Sequence, residues 1–468
     1  MGTINSALSL MTQALDSDQA ALNVTSNNVA NASTTGYTEE TPTWQENSSV
    51  VISGISYGQG ATMTGATSQR DTVLQERLNQ QQQLASASST RLTALDSVQA
   101  VFTPSSGTST TTGDIGTDLT SFFSSFSSLE SSPTSNSLRE KVLSSASTLA
   151  SDVSSAASSL ESQRSALDQE ASGVVSQVNA LTTSIAQLNQ QIQATGTSTD
   201  NSLEDQRQND LAKLSTLVGV NQVSTGNDGM QITTTSGQLL VSGDSSYQLT
   251  TGMSGGVTHI YSGTTDITSG LASGGGQLGG YLTARDTDIP NTLSSLDQLA
   301  YSVSTQVNTL NNAGTDQAGD TSNAGDIFSA PTQVSGSALS MSVVMTDPDH
   351  IAAASSTAGT GDNSNAIAMA ALASQTIVSG QTPTNYYSDF VSTLGSTVSN
   401  VETENTAQTA SVTQLQTQVD SISAVNLNDE ASSLTTMERS YQAAAQVFST
   451  LNTLMAQAIN IGTETTVS

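Results

Sequence analysis

Two helical seams, one at each end of the 468-residue chain, do most to limit what it can fold into. Near the start, Ile4, Leu8, Met11, Leu15, Leu22 and Val29 recur at steps of 4, 3, 4, 7 and 7 residues. Near the finish, Leu434, Met437, Tyr441, Ala444, Phe448, Leu451, Met455 and Ala458 alternate between steps of 3 and 4. A helix with that spacing carries its apolar side chains on one narrow stripe, as in a coiled coil. Such a stripe is buried only against another helix. Either the two ends pack within one protomer, or they pair between neighbouring copies; the spacing leaves both open.

Between the seams the chain is polar. Only 35% of residues are hydrophobic and 4% aromatic, with Trp44 the single tryptophan, so the core must be thin and spread along elongated elements. The formal charge of −30 comes from 40 acidic and 10 basic residues, of which two are lysines, Lys141 and Lys213. Phosphate backbones need clustered cations, so the charge argues against a nucleic-acid partner, and anionic membranes are disfavoured. No run approaches the ~20 apolar residues of a membrane span, so no membrane insertion is expected. The absence of cysteine excludes disulfides, thiol nucleophiles and thiolate metal sites. The first residues lack Lys and Arg, and their apolar positions are periodic instead of continuous. No cleavable signal peptide is expected there, and export would use another route.

The predicted fold is mainly α with a small inserted β domain, elongated and discontinuous. Residues 1–35 and 425–468 form a terminal coiled-coil domain. Residues 36–217 and 285–424 form a helical bundle with short extended segments, and 218–284 form the β-rich insertion. Helices are expected from Ile4 to Asn28, from near Ser68, from Leu119 with a Phe122, Phe123 and Phe126 core anchor, and over Asn136 to Ala194. Others follow at Pro290 to Asn311, Asn365 to Ser379 and Asn385 to Ile422. Gly36 and Pro42 mark a turn, and a Ser/Thr/Gly break runs from Pro104 to Gly116. Strands are expected at Met230–Thr234, Gln238–Val241, Tyr247–Thr250 and Val257–Tyr261, with turns such as Gly226-Asn227-Asp228-Gly229 between them. The run Gly274-Gly275-Gly276 with Gly279-Gly280 reads as the exit hinge of the insertion, and Leu339 to Met345 as a short strand.

Little in this sequence is equipped for chemistry. Gly274, Gly276 and Gly279 fit G-x-G-x-x-G, but Leu271-Ala272-Ser273 is not the buried strand that a dinucleotide site requires. Asp316, Asp320, Asn323 and Asp326 lack the one-three-five acids and closing Glu of a calcium loop. Asp347-Pro348-Asp349-His350 reads as a turn into a helix with Asp349 near the N-cap. His259 has no second ligand nearby in sequence. No catalytic, cofactor-binding or metal site is assigned, no cofactor is expected, and assembly is favoured over catalysis.

The run Ala20-Ala21-Leu22-Asn23-Val24-Thr25-Ser26-Asn27-Asn28-Val29-Ala30-Asn31, continued by Thr35-Gly36-Tyr37, resembles the N-terminal signature of the flagellar axial proteins. Val425-Asn426-Leu427-Asn428-Asp429-Glu430 and Tyr441-Gln442-Ala443-Ala444-Ala445-Gln446-Val447 resemble the C-terminal signature of the same group. The middle is similar to its hook-associated protein 1 branch, most clearly at Leu203–Leu211 and Gly279–Asp286. Two departures stand out. Glu39-Glu40 stands in place of the Arg-Gln that commonly follows Gly-Tyr-Thr, here Gly36-Tyr37-Thr38, and Gly325 to Leu339 is short where longer members carry a further β insertion.

The resemblance implies a structural subunit that is exported unfolded by the flagellar type III apparatus, with no cleaved signal peptide. It implies a ring-forming homo-oligomer at the extracellular hook–filament junction, between the hook protein and a second junction protein. A dedicated export chaperone would cover the C-terminal helix. The implied assembly interface comprises Ile4, Leu8, Met11, Leu15, Leu22, Ser26, Asn27, Asn28, Asn31, Gly36 and Tyr37, with Asn426, Leu427, Leu434, Met437, Tyr441, Ala444, Phe448, Leu451 and Met455. The alternatives are a rod or hook subunit of the same group, or a non-flagellar extracellular coiled-coil adhesin.

Overall fold

The terminal seams face each other. In the computed structural model, which describes residues 2–52, 54–103, 114–195, 201–225, 229–320 and 324–464, the first helix, α1 (Gly2–Asn31), lies along the last, α12 (Leu427–Glu464). Most of the break expected at 104–116, the turn at 226–228 and Asn323 fall outside the described residues.

After α1 come the extended pieces β1 (Glu40–Glu46), β2 (Val50–Ile52), β3 (Ile55–Tyr57) and β4 (Ala61–Ser68). They nest as two antiparallel ladders, β1 with β4 and β2 with β3. Pro42, read from sequence as a turn, sits inside β1 opposite Ala66. The two-stranded ladder tolerates it because a proline without an N–H can lie on an open edge. These strands pack on α1, and β4 also meets the helical body, where Asn201 donates to the Ala66 carbonyl.

The body opens with α2 (Thr72–Phe102), whose N-cap Asp71 accepts from the Val73 and Leu74 amides. It continues through α3 (Ile115–Glu130), α4 (Asn136–Thr195) and α5 (Asn201–Leu217). At ~1.5 Å per residue, the 60 residues of α4 extend about 90 Å and carry two cores in succession. Along its first half, Val142, Ala146, Leu149, Val153, Ala156 and Leu160 are buried with Phe122, Phe123 and Phe126 of α3. Along its second half, Ala171, Val174, Val178 and Ile185 pack under the β insertion.

That insertion is built from β5 (Val220–Thr225), β6 (Gly229–Thr234), β7 (Leu239–Ser242), β8 (Ser245–Ser246), β9 (Leu249–Ser254), β10 (Val257–Ser262) and β11 (Thr265–Asp266). They form a four-stranded sheet, β5-β6-β7-β8, and a three-stranded one, β9-β10-β11. Helices α6 (Thr268–Ala272) and α7 (Gly276–Thr283) follow. The glycine run there is not a hinge. Gly276 has φ +71°, and a Cβ on it would lie 2.4 Å from the Val218 nitrogen, while one on Gly280 would lie 2.6 Å from the Ala87 carbonyl. Glycine lets α7 press against the α5 terminus and α2, which is close backbone packing.

A π-helical turn, Ala284–Asp288, leads into α8 (Ile289–Ala313). Beyond it, β12 (Gly314–Thr315) pairs with β13 (Ala354–Ser355) around α9 (Ser337–Ser340). The strand expected at 339–345 is absent as such: Ser337–Ser340 is helical, and one isolated bridge joins Phe328 to Val343. The body closes with α10 (Ser364–Ala371) and α11 (Pro383–Ser423), the latter packed along α2.

Where α3 meets α4, burial and the adjacent Asp152, followed by the charge of Asp114, push the Asp118 carboxyl up to about 7 from 3.8. The folded chain therefore keeps a proton that the unfolded chain gives up between about pH 4 and 7, and this group withdraws stability as pH rises through that window. Asp118→Asn is expected to raise Tm relative to the parent by a margin that grows from pH 4 to 7 and then levels. Melting curves across that range test it, and a margin constant with pH would refute it.

Candidate assembly interface

The registration of α1 on α12 is antiparallel and polar. Asn28 donates to Glu430 Oε1 at 2.7 Å, Thr25 donates to Met437 Sδ at 3.7 Å, and Ser440 donates to Asp18 Oδ2 at 2.9 Å. The fully buried positions of α1 are Ser17, Ala21, Thr25 and Asn28, at steps of 4, 4 and 3 along one face. The larger seam residues Ile4, Leu8, Met11, Leu15 and Leu22 are half-buried, and Val29 is 43% exposed. Small and polar side chains let the helices approach, while the bulk flanks the contact.

On α12, the residues Leu434, Met437, Tyr441, Ala444, Phe448, Leu451 and Met455 are also half-buried. Beside them Leu427, Val447, Leu454 and Ile459 are between 46% and 54% exposed. The two-helix pair leaves these aliphatic side chains half in water, Val447 and Leu454 on one side of α12 and Leu427 and Ile459 on another.

Asn28 is the centre of the junction below the pair. Its amide donates to Glu430 and to the Glu40 carbonyl at 2.9 Å. Its oxygen accepts from Tyr37 Oη at 2.7 Å and from the Glu40 amide at 3.0 Å. All four bonding directions of the amide group are thus satisfied in a buried site. Burial, followed by the carboxylates of Glu40, Asp205, Glu430 and Glu39, pushes the Tyr37 hydroxyl well above its ordinary range. Tyr37 is held as a neutral donor.

Asn27 and Ser26 are exposed, and Asn27 accepts from Asn31 at 2.8 Å within the last turn of α1. Asn426 caps α12, accepting from the Asn428 amide and donating to Asp429. Gly36, φ +79°, rests on Asn209, where a Cβ would lie 1.7 Å from Oδ1. Glu39 faces Glu430 and Asp429: burial first, then these two charges, raise its carboxyl above the ordinary value. A carboxylate at this position meets carboxylates.

Residues that the sequence did not single out complete the junction. Arg70 bonds Asp205 and Thr38 Oγ1, and Asp205 accepts from the Thr38 amide at 3.2 Å. Burial raises the Asp205 carboxyl despite the opposing pull of Arg70. Ser423 donates to the Gln69 carbonyl, and its own carbonyl accepts from the Glu39 amide. Asp205 lies within Leu203–Leu211, so a signal existed; Arg70 stands alone in sequence with none.

The family model described as flagellar hook-associated protein FlgK helical domain matches residues 105–328, and that described as flagella basal body rod protein matches residues 10–38. Flagellar hook-associated protein 1 of Escherichia coli K12 is 27% identical, covering 98% of this chain and 99% of its own length. The chain resembles hook-associated protein 1 over nearly its whole length. Its counterpart from Salmonella typhimurium LT2 is 26% identical over the same shares of both chains. The E. coli alignment runs over 554 residues against the 468 of this chain, so the relative carries segments that this chain lacks. The solved flagellar hook junction protein FlgK from Burkholderia pseudomallei shares the fold, with a TM-score of 0.64 and 20% identity, over 74% of this chain and all of that one.

The residues weighed for chemistry make structural contacts in this chain. Asp316 accepts from His350 Nδ1 at 2.8 Å and from the Asp320 amide at 2.9 Å, and Asp326 accepts from Asn312. Asp347, not Asp349, caps the turn Pro348–His350. His259 does have a partner, Asp266, at 2.6 Å across a hairpin. No group of three or more metal-ligating side chains occurs among the described residues.

Proposed function

We propose that this chain is a structural subunit of the bacterial flagellum that forms the junction ring between hook and filament. The observation that carries this reading is the end-to-end alignment with hook-associated protein 1, 98% of one chain on 99% of the other. The helical-domain match over 105–328 favours it over a rod or hook subunit, since the rod-protein match reaches only residues 10–38.

In this reading the protein passes unfolded through the flagellar type III apparatus with no signal peptide removed, and a chaperone shields α12 until export. Subunits then assemble through the residues of the terminal pair. Leu427, Val447, Leu454 and Ile459, about half exposed in the single chain, supply apolar surface; burying the exposed half of each contributes about 0.8–1.5 kcal/mol gross. The hook protein meets the ring on one side and a second junction protein on the other.

Cells lacking this protein are expected to retain hooks and to release unpolymerised flagellin into the medium. Electron microscopy and assay of the culture supernatant test it. Filaments of normal length on such cells would sink the reading.

A further inference from the structure

Helix α2 meets α5 and the first strand of the insertion along a polar row. Gln75, Asn79, Gln83 and Ser86 recur at steps of 4, 4 and 3 and so share one face of α2. Gln83 Nε2 donates to the Val220 carbonyl at 2.8 Å, Ser86 Oγ to the Thr216 carbonyl at 2.7 Å, and Gln75 Nε2 to Asn79 Oδ1 at 3.2 Å. Beside these bonds lies a crevice of about 10 Å³, lined by Asn79, Gln83, Leu211, Ser215, Val220 and Gln222. Glu76 and Gln80 complete its wall and bond each other, Gln80 Nε2 donating to Glu76 Oε1 at 3.4 Å. Three polar atoms of the lining are buried and find no hydrogen-bond partner among the described residues: Asn79 Nδ2 on α2, Ser215 Oγ on α5 and Gln222 Oε1 on β5. Asn79 is 4% exposed and Ser215 0%. Buried amides and hydroxyls are almost always bonded, so three orphans around one crevice point to a partner that they share.

We infer that this crevice is the binding site of a single internal water molecule, which ties the β insertion to the helical body. A volume of roughly 10–15 Å³ is the least that holds a water, and internal waters make about three hydrogen bonds. The lining offers that number. Asn79 Nδ2 only donates, and its orientation is set by Gln75, which bonds the Oδ1 atom. Gln222 Oε1 only accepts, and Ser215 Oγ takes either role. A water accepts from Asn79, donates to Gln222 and donates to Ser215, so α2, α5 and β5 are joined at one point. A metal cation or an ammonium ion offers nothing to the Asn79 N–H, and an anion offers nothing to the Gln222 oxygen. Neither matches the set. None of the lining residues belongs to α1 or α12, so the site is a property of the body and holds whatever the chain assembles into.

A crystal structure of the full chain, at a resolution that shows ordered water, is expected to place one peak about 2.7–3.2 Å from all three atoms. Thermal unfolding of the full chain gives a second readout. Asn79→Leu, Ser215→Ala and Gln222→Met, made singly, each leave the water and the remaining polar atoms short of a partner and should lower Tm. The triple variant removes the polar atoms and the water together, so its loss should be smaller than the sum of the three single losses. Four results would each overturn the inference: a crevice with no peak in it, a crevice filled by a side chain such as Gln80 turned inward, a peak with the coordination of an ion, or strictly additive losses in Tm.

Discussion

Purified chain lacking residues 431–468 is expected to keep the cooperative unfolding transition of its body and to lose all capacity to restore filament growth on cells with bare hooks. The expectation follows from where the apolar contacts lie. Both buried clusters draw on α2 to α11 and the β insertion, and no residue of α12 belongs to either. Deleting most of α12 uncovers Ala21 and Thr25 but leaves Phe122, Leu149, Ile232 and their neighbours in place. An isolated α1 with a half-apolar stripe is marginal in water, so the truncated chain has nothing ordered to offer a neighbour. Scanning calorimetry of the purified protein and filament counts after external addition separate the two effects. Filament growth with the truncated chain would refute the role assigned to the seam. Loss of the body's transition would show that the terminal pair belongs to the core.

Phe122→Ala is expected to cost the body about 3–5 kcal/mol, a typical price for removing a fully buried aromatic ring. Phe122 has no exposed surface and sits against three other rings, with centroids 5.2 Å from Phe123, 5.4 Å from Phe126 and 5.4 Å from Phe328. Phe328 reaches it from the far side of the sequence, so the ring ties α3 to the segment after α8. Tilted and edge-to-face contacts of this kind add to simple burial. Urea titration followed by far-UV dichroism checks the figure. A midpoint shift worth less than about 1 kcal/mol would mean that the small residues around it collapse into the cavity.

Much of the helical plan was legible because long amphipathic helices advertise themselves. The expected helix at 136–194 is α4, Asn136–Thr195, and that at 385–422 is α11, Pro383–Ser423. Phe122, Phe123 and Phe126 are the core anchor expected of them. Short segments were less legible. Pro42 signals a turn locally yet lies on a strand edge, and the stretch from Leu339 to Met345 has strand composition but no partner strand along its length. The glycines near 276 read as a hinge because sequence does not show the backbones of Val218 and Ala87 pressing against them.

By itself the sequence determined that each terminus is a seamed helix needing a partner, that the chain carries no thiol chemistry, and that the ends bear sequences resembling the axial-protein signatures. These depend on periodicity, composition and local motifs, which survive without coordinates. Tertiary structure alone decided that the two seams meet within one chain, antiparallel, with the buried stripe of α1 running through Ser17, Ala21, Thr25 and Asn28 instead of the leucines. It also decided that Arg70, Asp205 and Ser423, up to 353 residues apart in sequence (70 to 423), share one junction below the terminal pair. A heptad stripe says that a helix must be covered, but it is silent on which surface covers it. That choice rests on hydrogen bonds between residues distant in the chain, and only the folded backbone brings them within reach.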